Sequence, residues 1–235
     1  MQLERILQKQ GFGTRKECRE LCRDGRVAVN GQAGDDPLAE IECAGLVLGV
    51  DGVDWPYAEF ATVMLHKPAG YECSRNPQYH PSVLKLLPAP LRARGVQPIG
   101  RLDEDTTGLL LLTDDGQLNH RLSSGKRRVP KVYLATTKHT VDAEQVDRLL
   151  AGVVLNDDPA PVAAAAAEIA GDRQLRLTLS EGKYHQVKRM VAAAGNRVEA
   201  LHREAVGGLS LPADLPMGAW RWLVAVDLEK LGNSA

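Results

Sequence analysis

Aromatic residues are scarce: two Phe, five Tyr and three Trp make up 4% of the 235 residues. Each tyrosine therefore merits a question about its purpose. Long hydrophobic runs are missing, and none approaches the ~20 apolar residues that a membrane helix needs. Cysteine is limited to Cys18, Cys22, Cys43 and Cys73. Their spacing fits neither a disulfide framework nor a zinc site, so no metal is expected and a reducing cytoplasm is the expected compartment. The first ten residues are charged and lack the apolar core of a signal peptide. Charge of one sign is also missing. The net charge is −1, so any basic surface must be local. What is present is a 44% apolar content, enough for one large domain or a medium and a small one.

The most informative stretch is Gly100-Arg101-Leu102-Asp103-Glu104-Asp105-Thr106-Thr107-Gly108, followed by Leu109-Leu110-Leu111-Leu112-Thr113 and Asp114-Asp115-Gly116. Four leucines without alternation predict a strand covered on both faces. Asp115-Gly116 predicts the turn that ends it. An acidic loop joined to a buried strand is held rigidly, as a reactive group must be. Glu104, Asp114 and Asp115 read as solvated turn residues. The spacing loosely resembles a calcium loop. Pro98-Ile99-Gly100 is a poor incoming helix, however, and the leucines stand where oxygen ligands should alternate. Spacing alone does not choose between Asp103 and Asp105.

Near the N-terminus, Leu3, Ile6 and Leu7 form a helical stripe that breaks at Gly11 and Gly13. Thr14 and Glu17 make a capping box for a second helix. Cys18, Leu21 and Cys22 share its apolar side. Arg15, Lys16, Arg19 and Arg23 fall within an arc of roughly 100° on another side. Gly25-Arg26-Val27-Ala28-Val29-Asn30-Gly31 reads as a strand entering an Asn-Gly hairpin. Residues 35–59 lack Lys and Arg, and Asp54-Trp55-Pro56 reads as a linker boundary.

Further on, residues 62–65 predict a strand leading into the turn His66-Lys67-Pro68-Ala69-Gly70. Short helices are expected near 83–87 and 117–122. Lys126-Arg127-Arg128 is a basic cluster that could follow an RNA backbone. Residues 131–135 predict a strand carrying Tyr133, 141–150 a helix, and 175–179 a strand. The alanine-rich stretch 160–167 is uninformative. In Glu181-Gly182-Lys183-Tyr184-His185-Gln186-Val187-Lys188-Arg189-Met190-Val191, the residues Val187, Met190, Val191 and Ala194 share one helical face. Cations near a helix start are poorly placed for the helix dipole, so a nearby anion should explain them. Gly207-Gly208 predicts a tight turn.

The Gly-Arg-Leu-Asp-x-x-Thr-Thr-Gly-Leu stretch resembles the signature of the pseudouridine synthases that modify ribosomal RNA. The Lys-Pro-x-Gly turn at Lys67, the Lys-x-Tyr-Leu context of Tyr133, the His-Gln-Val-Lys-Arg-Met run and Leu201-His202-Arg203-Glu204 extend the likeness over nearly the whole chain. Two helices and a hairpin with Gly-Arg-Val-x-Val-Asn-Gly resemble the small S4-like RNA-binding domain. The resemblance implies Asp103 as the catalytic aspartate, Tyr133 stacking on the target base, and Lys188 keeping Asp103 ionised. Arg101, Lys67, His185 and Gln186 are implied substrate contacts, with Lys67 on the rim holding a phosphate. Arg15, Lys16, Arg19, Arg23 and Arg26, with Lys126, Arg127 and Arg128, are implied RNA-backbone contacts.

The fold implied is α+β. An S4-like RNA-binding domain occupies residues 1–60, and a catalytic domain with a mixed, mostly antiparallel sheet flanked by helices occupies 61–235. The reaction is an isomerisation without redox change or group transfer, so no cofactor is expected, consistent with the absence of Walker and dinucleotide glycine motifs. The His-Gln-Val-Lys-Arg-Met wording points to the small-subunit branch, with the uridine numbered 516 in the usual 16S numbering as target. Ribosomal RNA is the expected partner, and with no sign of a coiled coil or an obligate protein partner a monomer is the expected state. The alternatives are the same chemistry on large-subunit RNA, a non-catalytic RNA-binding assembly factor, and an aspartate-based glycosidase, which normally needs two carboxyls across its site.

Overall fold

A computed structural model describes residues 1–123, 128–155 and 158–232. The chain forms two compact units. The first holds Met1–Ala61 together with Leu87–Gln97 and Thr113–Asp115; the second holds Thr62–Leu86, Pro98–Leu112 and Gly116–Ala235. Among the described residues, no helix is long and apolar enough to cross a membrane.

The first unit begins with α1 (Leu3–Lys9) and α2 (Arg15–Arg23). Leu3, Ile6 and Leu7 are fully buried, which is what a stripe at that spacing achieves. Thr14 caps α2 through the full capping box with Glu17. Cys18 and Cys22 are buried, and burial pushes each thiol up to about 11, so they act as small apolar side chains. The strands β1 (Val27–Val29), β2 (Gln32–Ala33), β3 (Val47–Val50) and β4 (Val53–Pro56) form one sheet in the order β2-β1-β3-β4. Asn30 and Gly31 both take positive φ, 49° and 81°, as a two-residue hairpin with the right twist demands. The expected linker at Asp54-Trp55-Pro56 is instead part of β4. Trp55 is buried there, and its ring meets Phe12 edge-on at 5.5 Å. The Asp51-Gly52 turn before it makes a hairpin of what reads, by composition, as a boundary.

Glu4 is a fully buried carboxylate on α1. Arg15 donates to it from Nε and Nη2 at 3.2 and 2.6 Å, and Arg19 donates from Nε and Nη2 as well. The arginine face of α2 is therefore partly neutralised from the neighbouring helix. Hydrogen bonds from Arg19 and then Arg15 lower the pKa of Glu4 from 4.5 to about 2. A depressed carboxylate pKa stabilises the fold at pH above the unfolded value, and this contribution is lost as pH falls through the folded value. Glu4→Gln should therefore melt earlier than wild type at pH 7. Thermal melts on acidification should show the two curves converging between pH 4.5 and about 2.

The second unit starts at β5 (Thr62–Lys67). A 3-10 turn at Val83–Leu86 precedes α3 (Ala89–Ala93), which belongs to the first unit. Then follow β6 (Gln97–Pro98), β7 (Thr107–Thr113), α4 (Gly116–Ser123), β8 (Lys131–Thr137), α5 (Ala143–Ala151), β9 (Val153–Leu155), β10 (Asp158–Val162), β11 (Ala166–Gly171), β12 (Gln174–Leu179), α6 (Gln186–Ala193), β13 (Val198–Val206), β14 (Leu209–Ser210), β15 (Trp220–Trp222) and α7 (Ala225–Gly232). The central sheet runs β11-β12-β8-β13-β7-β5-β15, with β6 beside β7 and β14 beside β13. The β13–β7 pair is parallel, while β11–β12, β12–β8, β8–β13, β13–β14 and β5–β15 are antiparallel. The sheet is thus mixed and mostly antiparallel, as expected. The alanine-rich stretch becomes the end of β10 and the start of β11.

Leu109, Leu110, Leu111 and Leu112 are all buried to 1% exposure or less. Full burial of one leucine contributes roughly 1.5–3 kcal/mol, so β7 is a firm anchor for the loop before it. Leu109 and Leu111 pack into a core that includes Met64, Leu118 and Leu122. Gly108 pairs with Arg203 of β13. Its φ is +109°, and a Cβ there would lie 2.3 Å from the Arg203 carbonyl oxygen, so only glycine fits.

In the first unit, Asp114 is not the solvated turn acid that its sequence suggests. Its Oδ2 receives Arg94 Nε at 2.7 Å, and its Oδ1 accepts the Ala61 amide at 2.6 Å. Arg94, itself 3% exposed, also donates to Gln10 Oε1 and to the Ala58 and Glu59 carbonyls. A buried guanidinium with this many acceptors is fully compensated.

Candidate active site

The site lies wholly in the second unit and is built on the loop between β6 and β7. Lys67, the last residue of β5, has no exposure to solvent. Its Nζ donates to the carbonyls of Pro68, Asp103, Glu104 and Thr106 at 2.8–3.1 Å. The expectation of a rim lysine holding phosphate is therefore corrected. Lys67 points inward and ties the acidic loop to β5, because its long side chain carries an ammonium to the inward carbonyls of the turn. Burial lowers its pKa below the ordinary lysine value. The Thr106 amide closes the turn on the Asp103 carbonyl at 3.1 Å, and the Gly70 amide binds the Glu104 carbonyl at 2.8 Å.

With its backbone fixed this way, the loop presents Asp103 to a cleft. The side chain of Asp103 is 30% exposed. His185 Nε2 stands 3.3 Å from Oδ1, and Lys188 Nζ stands 3.5 Å from Oδ2. Arg101, Tyr133, Gln186 and Leu201 line the same cleft. Tyr133 comes from β8, where it faces Arg203 of β13 and Leu177 of β12 in register, and it is nearly buried. Arg203 is buried behind it and donates to the Leu109 carbonyl at 2.8 Å, fixing β13 to β7. Asp103, Tyr133 and Lys188 thus converge from a loop, a strand and a helix.

The acidic loop explains the basic side chains at the start of α6. His185 caps α6 in a left-handed conformation, φ 48° and ψ 32°. For a residue other than glycine this costs roughly 1–3 kcal/mol, and such strain collects at functional sites. It turns the imidazole onto Asp103. Tyr184 stacks on that ring at 3.8 Å and is itself 70% exposed. Gln186 is buried and accepts the Lys183 amide on Oε1 at 2.9 Å, closing the loop before the helix.

Lys188 reaches the loop as expected, but its shortest bonds go to Asp105, at 2.7 and 2.8 Å. Burial works against ionisation at both residues. The bond and charge between them outweigh it, so Asp105 lies below the usual carboxylate range and Lys188 above the usual lysine value. Nothing in the sequence marks Asp105 as the lysine's partner. Tyr184 was passed over too, although the scarcity of tyrosine was a reason to ask about it. The Glu104 side chain is exposed, with His80 Nε2 3.9 Å from its carboxylate.

Of the basic residues read as RNA contacts, Arg15 and Arg19 hold Glu4, and Arg26 forms a forked pair with Asp51 at 2.6 and 2.8 Å. Lys16 is exposed, 4.0 Å from Glu20, and Arg23 is exposed. Arg128 is exposed and adopts a positive φ. Lys126 and Arg127 lie outside the described residues.

The family model for RNA pseudouridylate synthase matches residues 61–193, and that for the S4 domain matches residues 1–37. Ribosomal small subunit pseudouridine synthase A of Escherichia coli (strain K12) is 46% identical over 165 residues, which cover 70% of this chain and 71% of that protein. The protein of the same name from Vibrio parahaemolyticus is 34% identical over 240 residues, covering 99% of this chain and all of that protein. A crystal structure of a pseudouridylate synthase is similar with a TM-score of 0.70 and 35% identity, over 98% of this chain and 99% of the other. The carboxylate cleft therefore sits within a match that covers more than half of the chain, and the chain belongs to the RNA pseudouridylate synthase family.

Proposed function

We propose that this isomerase converts one uridine of small-subunit ribosomal RNA to pseudouridine, the candidate being position 516 of the 16S RNA, and that Asp103 is its catalytic residue. The observation that carries the assignment of Asp103 is its placement: a half-buried carboxylate on a pinned loop, flanked by the Lys188 ammonium and the His185 imidazole and facing Tyr133. The names of the Escherichia coli and Vibrio parahaemolyticus relatives support the choice of RNA.

In the reaction the bond from C1′ to N1 of uracil breaks, the ring turns, and C1′ joins C5. The C5 proton leaves to solvent, and N1, freed from the sugar, takes one up. The nucleotide must first leave its stack, at a cost of a few kcal/mol. Tyr133 offers a face for the extruded base. Arg101, exposed at the rim, takes the place of the flipped base or holds its phosphate. Asp103 acts at the sugar, either by attack at C1′ or as proton acceptor while uracil departs. His185 and Lys188 keep its charge oriented, and Gln186 shapes the pocket wall. Residues 1–60 hold the RNA backbone, with Lys16 and Arg23 as contacts joined by Arg15, Arg19 and Arg26 where their carboxylate partners leave donors outward. Residues 61–235 carry the chemistry. The enzyme works as a monomer in the cytoplasm, where its RNA is assembled.

The test of the substrate is a map of pseudouridine in both ribosomal RNAs of a strain lacking the gene. One small-subunit pseudouridine should vanish and return with the wild-type gene. An intact small-subunit map with a loss in large-subunit RNA would move the assignment to that RNA.

A further inference from the structure

Lys188 has two carboxylates within reach and treats them unequally. It donates to both oxygens of Asp105 at 2.7 and 2.8 Å, yet stays 3.5 Å from Asp103. The first two are short, strong hydrogen bonds, and the third is a longer contact at the limit of hydrogen-bond reach. We infer that Asp105 is a positioning residue of the isomerase site: it holds the Lys188 ammonium off Asp103, so that the Asp103 carboxylate keeps its oxygens for the nucleotide. The inference rests on Asp103 being the catalytic residue.

The backbone makes this division of the lysine possible. Lys67 binds the carbonyls of Asp103, Glu104 and Thr106, so the loop from 103 to 106 cannot adjust to bring Asp103 closer. The position of the ammonium is then settled by side chains alone. The charged groups around it are Asp105, Asp103 with His185 on its other oxygen, and the buried Lys67 behind the loop; Glu181 and Lys183 line the same cleft. An ammonium carries three donors. If Asp105 takes none of them, the nearest anion is Asp103. A charge-assisted bond there would bury the lone pair of Oδ2 and weaken the carboxylate as nucleophile or base. An ammonium at 3.5 Å lies beside the carboxylate while leaving the oxygen accessible.

The experiment uses the purified full chain and tritium release from 16S RNA labelled at carbon 5 of uridine. Asp105→Asn keeps the shape and removes the charge. Its kcat should fall about 10- to 100-fold, the usual cost of losing an orienting partner of a reactive group, with KM within about twofold. Asp105→Glu should recover part of the loss. In a Lys188→Met background, assayed in single turnover with enzyme in excess, Asp105→Asn should have no further effect, because the residue acts through that lysine. Wild-type kcat in Asp105→Asn would overturn the inference, as would an equal further loss in the Lys188→Met background. So would a loss that tracks a lowered melting temperature and that Asp105→Glu does not relieve. If Asp103→Asn keeps activity while the wild type is active, the assignment of Asp103 fails and the inference falls with it; if only the Asp105 results fail, that assignment stands.

Discussion

Asp103→Asn is expected to reduce isomerisation by ~10³-fold or more, the scale on which a nucleophile or its base is felt. The substitution preserves volume and leaves the loop intact, because Lys67 holds the backbone carbonyl of residue 103 and not its side chain. What disappears is the negative charge. An amide neither attacks a sugar carbon nor accepts a proton at neutral pH. Lys188 keeps its bonds to Asp105, so no cation is stranded. RNA affinity should stay within about threefold, since phosphate contacts dominate binding. Tritium release and filter binding, measured side by side, separate the two effects. A variant that loses RNA binding and rate together would place Asp103 in recognition and not in chemistry.

Lys67→Met should produce the largest loss of stability among single substitutions around the site. The ammonium is fully buried and serves four carbonyls. Methionine fills similar space and donates nothing. A buried acceptor left unpaired costs ~1–3 kcal/mol, and Lys67 serves several. A loss in that range is expected in chemical denaturation, with kcat falling as well because the Asp103 loop is no longer tied to β5. Lys67→Arg should not rescue either effect. A planar guanidinium does not converge on the points that one ammonium reaches. Unchanged stability in Lys67→Met would mean that the loop is held by its own turn bonds, such as Thr106 to Asp103.

Most of the local structure was legible in the sequence. The capping box of Thr14 and Glu17, the Asn30-Gly31 hairpin and the leucine strand each depend on neighbours a few residues apart, so pattern suffices. The functional constellation was legible only in outline. The motif signature singled out Asp103, and scarcity drew attention to Tyr133, but neither says which way a long side chain turns. Lys67 sits in a turn and looks like a surface residue; only the fold reveals four inward carbonyls. Lys188 and Asp105 are 83 residues apart, and nothing along the chain links them. The same holds for Glu4, whose buried carboxylate takes up Arg15 and Arg19, and for Arg94 with Asp114 across 20 residues. Trp55 misled for a different reason. Asp-Trp-Pro has turn-like composition, and an edge strand tolerates the proline that a central one would not.

The central claim is that the half-exposed carboxylate in this cleft turns a uridine around without releasing it. The most direct measurement follows carbon-5-tritiated 16S RNA incubated with the wild-type chain, scoring tritium in water, free uracil and pseudouridine in the same RNA. One tritium released for each pseudouridine formed, with no free uracil, is the expected result. Free uracil, or bound RNA with neither product, would contradict it.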